Sequence, residues 1–302
     1  MNDRIFVVFN PHAGKGRGAQ FVAPVLEELS AGGGEVEHAL TRAPGDEARL
    51  AREALERGFG RIVAVGGDGT WSNVGNAILS SDKRDDVEMG LVPGGTGCDL
   101  AKSLGIPPRD VRACCRVILD GATRAIDVGK IEDKYFLNIA GFGYDVAVLE
   151  DSWSVGYLEG SLLYLYCALR QLGSYKGFTV EGEADGRPLG RREMLMVIVA
   201  NARTFGGGFK VAPWADLEDG RLDALSFANM GFGGRVSALV RLLLGSHASH
   251  PQVERVAAER FVYRFEAPPT YETDGEWNQA RTSELVIESV PRALRVRVPR
   301  AS

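Results

Sequence analysis

Cysteine and histidine are scarce in this chain of 302 residues, with four of each. Cys98, Cys114, Cys115 and Cys167 form no Cys-x-x-Cys, keep no regular spacing and have no histidine cluster beside them. That excludes a disulfide scaffold and a zinc-finger site, and it predicts free thiols in a reducing compartment. Long apolar runs are missing too. The opening stretch MNDRIFVVFNPHAG is too short for a signal peptide and has no cleavage pattern. Residues 158–172 are broken by Glu159, Gly160 and Arg170, short of the about 18–20 uncharged residues that a spanning helix needs. A cytoplasmic protein with peripheral membrane contact at most is expected. A positive balance is also lacking: the net charge of −5 argues against a nucleic-acid partner held by bulk electrostatics. No G-x-G-x-x-G spacing occurs, which disfavours the dinucleotide-binding fold.

What is present is organisation on two scales. A chain of 302 residues exceeds the usual single core of about 100–200 residues, so two domains are expected. The first 125 residues alternate, with strand patterns at Ile5–Phe9, Val36–Leu40, 62–65 and 90–93. Helical spacing fills 17–31, 46–58, 72–80, 99–104 and 110–119. Such alternation with short connections predicts a mostly parallel sheet with helices on both faces. Its ligand crevice should lie beyond the carboxyl ends of the strands. From residue 126 strand patterns dominate, at 126–131, 135–140, 177–184, 193–200, 222–227, 260–266, 284–289 and 293–298. Helices are expected only at 157–172 and 233–245, and Asp185-Gly186 signals a hairpin. The expected architecture is an N-terminal α/β domain over 1–125 and an antiparallel β-rich, sandwich-like domain with two helices over 126–289. Residues 290–302 are free to pack back on the first domain. They carry Arg292, Arg295, Arg297 and Arg300 without an acid, either a solvated tail or a contact for an anionic membrane surface.

Residues 63–70, Val-Ala-Val-Gly-Gly-Asp-Gly-Thr, carry the most chemistry. An apolar strand breaks at Gly66-Gly67 into a loop with an acid, Asp68, and a hydroxyl, Thr70, and helical spacing follows. Strand, glycine loop and helix aim backbone N–H groups and a positive helix end at a phosphate. Glycine serves by tolerating positive φ and by letting the backbone approach a ligand. A second such loop, Gly94-Gly95-Thr96-Gly97-Cys98-Asp99, follows the next strand, so one nucleotide lying across both loops is expected. Asp99 also reads as a helix cap. The loop from Asn10 to Gly18 is glycine-rich and basic, through Lys15 and Arg17, but it is not a Walker A loop. It reads equally as ligand cradle or exposed turn. Asp216, Glu218, Asp219 and Asp223 fall within eight residues, either a Mg²⁺ site of hard oxygens or a solvated acidic turn. Thr273-Asp274-Gly275-Glu276 taken alone is a charged turn.

Together these segments resemble the lipid kinase family that contains diacylglycerol, sphingosine and ceramide kinases and their bacterial soluble relatives. Asn10-Pro11 to Gly14 is similar to the family's opening loop, and Gly66-Gly67-Asp68-Gly69-Thr70 with Asn73 to its nucleotide signature. Gly94 to Ala101 with Leu104-Gly105-Ile106-Pro107 is similar to its second loop. Gly206-Gly207-Gly208, Ala212-Pro213 and Asp219-Gly220-x-Leu222-Asp223 resemble a later block, and Asp274-Gly275-Glu276 its catalytic end. Cys98 departs from the pattern, standing where the family usually has Asn.

The resemblance implies a first domain of the NAD kinase and phosphofructokinase type. It implies ATP as co-substrate, bound by Asn10, Thr41, Gly66, Gly67, Asp68, Gly69, Thr70, Asn73, Gly95 and Thr96. Asp68, with Asp99, would organise a catalytic Mg²⁺, and a structural Mg²⁺ would rest on Asp216, Asp219 and the Arg221 carbonyl. Glu276 would be the general base acting on a lipid hydroxyl, with diacylglycerol as the leading acceptor. A lipid acceptor needs an apolar slot, and the helices at 157–172 and 233–245 could supply one or could be plain core. Peripheral membrane contact follows from such an acceptor, and a homodimer is left open. Other lipids, a NAD kinase activity, and a non-catalytic binder on the same fold are the alternatives. NAD kinases share the Gly-Gly-Asp-Gly loop, but their Asn-Glu motif has no counterpart here.

Overall fold

Ile5–Phe9 is a run of β-branched and aromatic residues, all buried, and it forms strand β1. A strand covered on both faces reads as an unbroken apolar run, because neither face meets water. The computed structural model describes residues 4–95, 97–108, 110–156, 158 and 160–300. It divides into two compact units, Met1–Asp127 with Arg292–Ser302 and Val128–Pro291.

In the first unit β1 is followed by α1 (Ala13–Gly16), α2 (Val22–Ser30), β2 (Val36–Leu40), α3 (Asp46–Glu56), β3 (Arg61–Gly66) and α4 (Asp68–Leu79). After these come β4 (Glu88–Pro93), α5 (Asp99–Ser103), α6 (Val111–Asp120) and β5 (Ala122–Ile131). The strands pair in parallel in the order β2-β1-β3-β4. The chain winds from β1 to β2 on one side and reaches β3 on the other. Ligands of such sheets gather at the carboxyl ends beside this reversal, here the residues after β1 and β3. Helix α4 begins at Asp68, four residues before the helix expected from spacing. Asp68, Gly69 and Thr70 are therefore its first turn rather than a loop, and the bare backbone shrinks to Gly66-Gly67.

The second unit adds β6 (Lys134–Phe136), β7 (Ile139–Gly143), α7 (Tyr144–Ser152), α8 (Gly160–Gln171), β8 (Phe178–Ala184), β9 (Arg187–Ala200) and β10 (Leu222–Ala228). It continues with α9 (Phe232–Leu244), β11 (Val253–Ala258), β12 (Arg260–Phe265), β13 (Thr270–Thr273), β14 (Glu276–Gln279) and β15 (Glu284–Val298). The first half of β9 pairs antiparallel with β8, and its second half lies between β7 and β10. Met196, Ile198 and Ala200 point into a core shared with α7, α8 and α9. Val197 and Val199 point into a second core with Phe142, Phe261 and Tyr271. Period-two alternation thus feeds two apolar layers, a sandwich of strands with helices over one face.

Among the described residues three α-helices, not two, belong to this unit. Helix α7 escapes a pattern search because Tyr144, Val146, Val148, Leu149, Asp151 and Ser152 are all buried, which leaves no polar stripe to mark its period. The two strands expected over 284–298 are one continuous β15.

Within the arginine-rich end, Arg297 is not a solvated tail residue. Val296 of β15 pairs in parallel with Met89 of β4. Arg297 is buried and donates to the carbonyls of Ile118 (3.0 Å), Leu119 (3.1 Å) and Gly121 (2.8 Å). It closes the C-terminus of α6, where orphan carbonyls and the helix dipole both favour a cation. Spacing gave no sign of this, because the helix that Arg297 caps lies far back in the chain.

Candidate active site

The two glycine loops of the first unit touch. A Cβ on Gly95 would lie 2.5 Å from Gly67 Cα, and one on Gly66 would lie 2.5 Å from Thr70 Oγ1. None of Gly66, Gly67, Gly69, Gly94 and Gly95 has positive φ. At Gly67 and Gly95 the requirement for glycine is therefore close approach of one backbone to the other, at Gly66 it is the Thr70 side chain, and the left-handed freedom expected from sequence is not used here. The left-handed residue is Cys98, at φ 54°, a conformation that Asn adopts more readily than Cys. Its thiol is buried, and burial followed by the charge of Asp68 pushes its pKa up to about 12, so it is inert.

Asp68 and Asp99 meet behind these loops. Asp68 Oδ1 accepts the Asp99 backbone N–H at 2.7 Å, and Lys102 Nζ lies 2.9 Å from Asp99 Oδ1. Asp99 is in the first turn of α5 and does not cap it, since the N-cap is Cys98. Burial first and the Asp99 charge second push the Asp68 carboxyl above its ordinary value, against the N–H groups of residues 98–100. A half-buried acid pressed by a second, buried acid is an environment that a divalent cation relieves, and hard carboxylate oxygens suit Mg²⁺.

Asn10, at the end of β1, joins three elements. Its Nδ2 donates to Glu47 Oε1 of α3 (3.2 Å) and to Thr70 Oγ1 of α4 (3.1 Å), while its Oδ1 accepts the His12 N–H (3.0 Å). Glu47 is buried, and its Oε2 has no partner among the described residues. Sequence reading passed over Glu47, which lies in the first turn of α3, six residues after Thr41. Thr41 is buried just after β2, its N–H donating to the Phe9 carbonyl at 2.9 Å. Asn73 lies on α4, and Thr96 falls outside the described residues. Arg17 Nε donates to the Gly14 carbonyl at 2.8 Å, so its own loop engages that nitrogen.

In the second unit Asp274 is a structural clamp. Its carboxylate accepts the N–H groups of Leu137 (2.8 Å), Asn138 (2.8 Å) and Ile139 (3.1 Å). Asp274 and Gly275 both have positive φ, the two-residue turn that joins β13 to β14 with matching twist. Glu276 is the first residue of β14, opposite Thr273. Next to it, Trp277 Nε1 donates to Glu150 Oε1 at 2.8 Å. Glu150 lines a cavity of about 340 Å³ with Phe142, Tyr175, Phe178, Phe265 and Thr270.

Two further acids lie nearby that sequence reading missed. A Cβ at Gly141 would collide with Asp145 Oδ2 and crowd Glu272 Oε1. Neither Asp145 oxygen nor Glu272 Oε1 has a hydrogen-bond partner among the described residues. Burial pushes Asp145 up to about 7. Burial, then the charge of Asp145, raises Glu272 well above the carboxylate range. Asp145 is on α7, the helix whose pattern is hidden, and Glu272 precedes the motif by two residues.

Asp216 and Asp219 each turn one oxygen onto their own loop, to the N–H groups of Glu218 (3.1 Å) and Arg221 (3.0 Å). Among the described residues no three His, Cys, Asp or Glu side chains gather as a metal cage.

With this geometry in hand, the chain can be set beside known proteins. Residues 4–131 match the diacylglycerol kinase catalytic domain, and residues 138–298 match the YegS C-terminal NAD kinase beta sandwich-like domain. A diacylglycerol kinase of Bacillus subtilis is 30% identical over 94% of this chain and 93% of its own. A crystal structure of a diacylglycerol kinase from Bacillus anthracis superposes with a TM-score of 0.77 at 20% identity, covering 98% of this chain and 97% of that one. An NAD kinase of Archaeoglobus fulgidus in complex with ATP shares the fold, with a TM-score of 0.54 at 15% identity over 97% and 93% of the two chains. By both halves of its length, then, the chain belongs to the diacylglycerol kinase family of lipid kinases.

Proposed function

We propose that this kinase transfers the γ-phosphoryl group of ATP to the free hydroxyl of diacylglycerol, forming phosphatidic acid. The observation that carries the reading is the head of α4. There the touching glycine loops leave backbone at the carboxyl ends of β3 and β4, with Asp68 and Asp99 behind it. Phosphoryl transfer depends mainly on positioning and on neutralising charge. Asn10, Thr41, Gly66 to Thr70, Asn73, Gly95 and Thr96 are the residues proposed to hold the nucleotide. Mg²⁺, when bound, would neutralise charge on the transferring phosphoryl group, with Asp68 and Asp99 as its holders. A second Mg²⁺ held by Asp216, Asp219 and the Arg221 carbonyl would serve structure.

Glu276 is proposed as the base that takes the acceptor's proton. The Asp274 clamp supports that role, because it fixes the turn from which Glu276 departs. The cavity beside Glu150 offers aromatic walls for an apolar acceptor. Diacylglycerol is favoured among lipids because the relatives of 25–30% identity bear that name. An acceptor that resides in bilayers makes the enzyme peripheral at the membrane.

The test is transfer from labelled ATP with Mg²⁺ to diacylglycerol, sphingosine, ceramide or phosphatidylglycerol micelles, or to NAD. Label is expected in diacylglycerol, and Glu276→Gln should lower it about 10²–10⁴-fold with the fold intact. Label in NAD, or full turnover by Glu276→Gln, would overturn the reading.

A further inference from the structure

Among the described residues eleven large apolar side chains are exposed, and eight of them stand on α8 and α9. On α8 they are Leu162, Tyr166 and Leu169, spaced by four and three residues. On α9 they are Phe232, Val236, Val240, Leu243 and Leu244, again along one face. The opposite faces are fixed: Cys167 and Ala168 of α8 and Leu172 just after it, with Ala238 and Leu242 of α9, are buried in one core. Arg235 of α9 donates to the Leu172 carbonyl at the end of α8 at 2.9 Å, so the helices are neighbours. Two adjacent helices thus turn apolar stripes outward. Contiguous exposed patches of this kind mark interaction surfaces, whereas scattered apolar residues do not.

Charge identifies the occupant. The 30 residues between Asp223 and Glu254, which contain α9, hold no acidic side chain in a chain of net charge −5. Two exposed lysines flank α9. The Lys176 carbonyl accepts from Asn229 Nδ2 just ahead of the helix, and Lys210 packs against Gly245 just behind it. Arg241 lies on α9 itself, and Arg170 near the end of α8 pairs with Asp151 at 2.6 Å. A second copy meeting this face about a two-fold axis would set lysines near lysines, an unfavourable match. An anionic lipid surface satisfies both features, since apolar side chains enter the acyl boundary and cations meet headgroups.

We propose that the outward faces of α8 and α9 dock on an anionic bilayer. The inference rests on the lipid-acceptor reading for its purpose, while its test does not need activity. Full-length protein would be floated with vesicles of phosphatidylcholine, alone or with about a third phosphatidylglycerol. The wild type should float with the anionic vesicles. Val240→Asp with Leu244→Asp should weaken this at least about tenfold. Lys176→Glu with Lys210→Glu, confined to exposed positions, should remove the dependence on phosphatidylglycerol and on salt. Both pairs should keep the wild-type Tm and phosphorylate short-chain, water-dispersed diacylglycerol normally while losing activity on vesicles.

Failure of the wild type to float, or flotation indifferent to both pairs, would overturn the proposal. So would light scattering that shows a dimer turned monomeric by Val240→Asp with Leu244→Asp. Flotation as expected without phosphorylation of any lipid would uphold the docking face and remove the kinase substrate reading instead.

Discussion

In the first unit the buried acids are supplied with partners. Asp68 takes a backbone N–H, against the burial and the Asp99 charge that raise its pKa, and Asp99 faces Lys102. In the second unit Asp274 is similarly saturated, by three N–H groups, but a short distance away neither oxygen of Asp145 nor Glu272 Oε1 has a partner among the described residues, while Glu272 Oε2 accepts the Gly275 N–H at 2.6 Å. A bare buried carboxyl escapes its desolvation cost by keeping its proton. The backbones differ in a parallel way. The second unit puts Asp274 and Gly275 in a left-handed turn that suits them, whereas the first puts Cys98 in one that does not.

The largest expected effect breaks the first arrangement. Asp68→Asn should cost about 10²–10³ in kcat by removing a carboxylate proposed to hold the Mg²⁺ that would neutralise the transferring phosphoryl group, with circular dichroism unchanged. Asp274→Ala breaks the corresponding clamp in the second unit. It strands three buried N–H groups and should lower stability by about 3–5 kcal/mol, read from the urea midpoint.

Asp145→Asn sharpens the contrast through pH. Its folded pKa of about 7 lies above the ordinary 3.8. Below about pH 4 both folded and unfolded chains hold the proton, and the contribution is neutral. Between there and pH 7 the unfolded chain releases it first, so stability falls as pH rises. The variant should therefore gain Tm over the wild type at pH 8, with the gap closing toward pH 4. A gap that is constant with pH would mean Asp145 ionises normally. The smallest effect is Cys98→Asn, which fits a left-handed residue and should add about 0.5–1 kcal/mol, again from the urea midpoint.

Local order carried much of this structure in the sequence. The parallel strands are legible because both faces are buried and their apolar runs are unbroken, as in Ile5–Phe9. Asp68 is legible because glycine beside an acid leaves a written trace, whereas Asp274 stands out only through the family resemblance. Glu47, Asp145 and Glu272 are not legible, since an acid becomes unusual only through what surrounds it. Arg297 resembled a tail residue for the same reason, its helix terminus being some 176 to 179 positions away.

Those separations bear on how the molecule is made. The Asp274 clamp closes on residues 135–137 positions earlier, and Arg297 seals a helix finished long before it. Most chains fold from the N-terminus during synthesis, and distant closures slow that process. Here the first unit waits for Arg292–Ser302 to emerge before its last clasp can form. A ribosome stalled before position 297 therefore presents a half-finished sheet with open carbonyls.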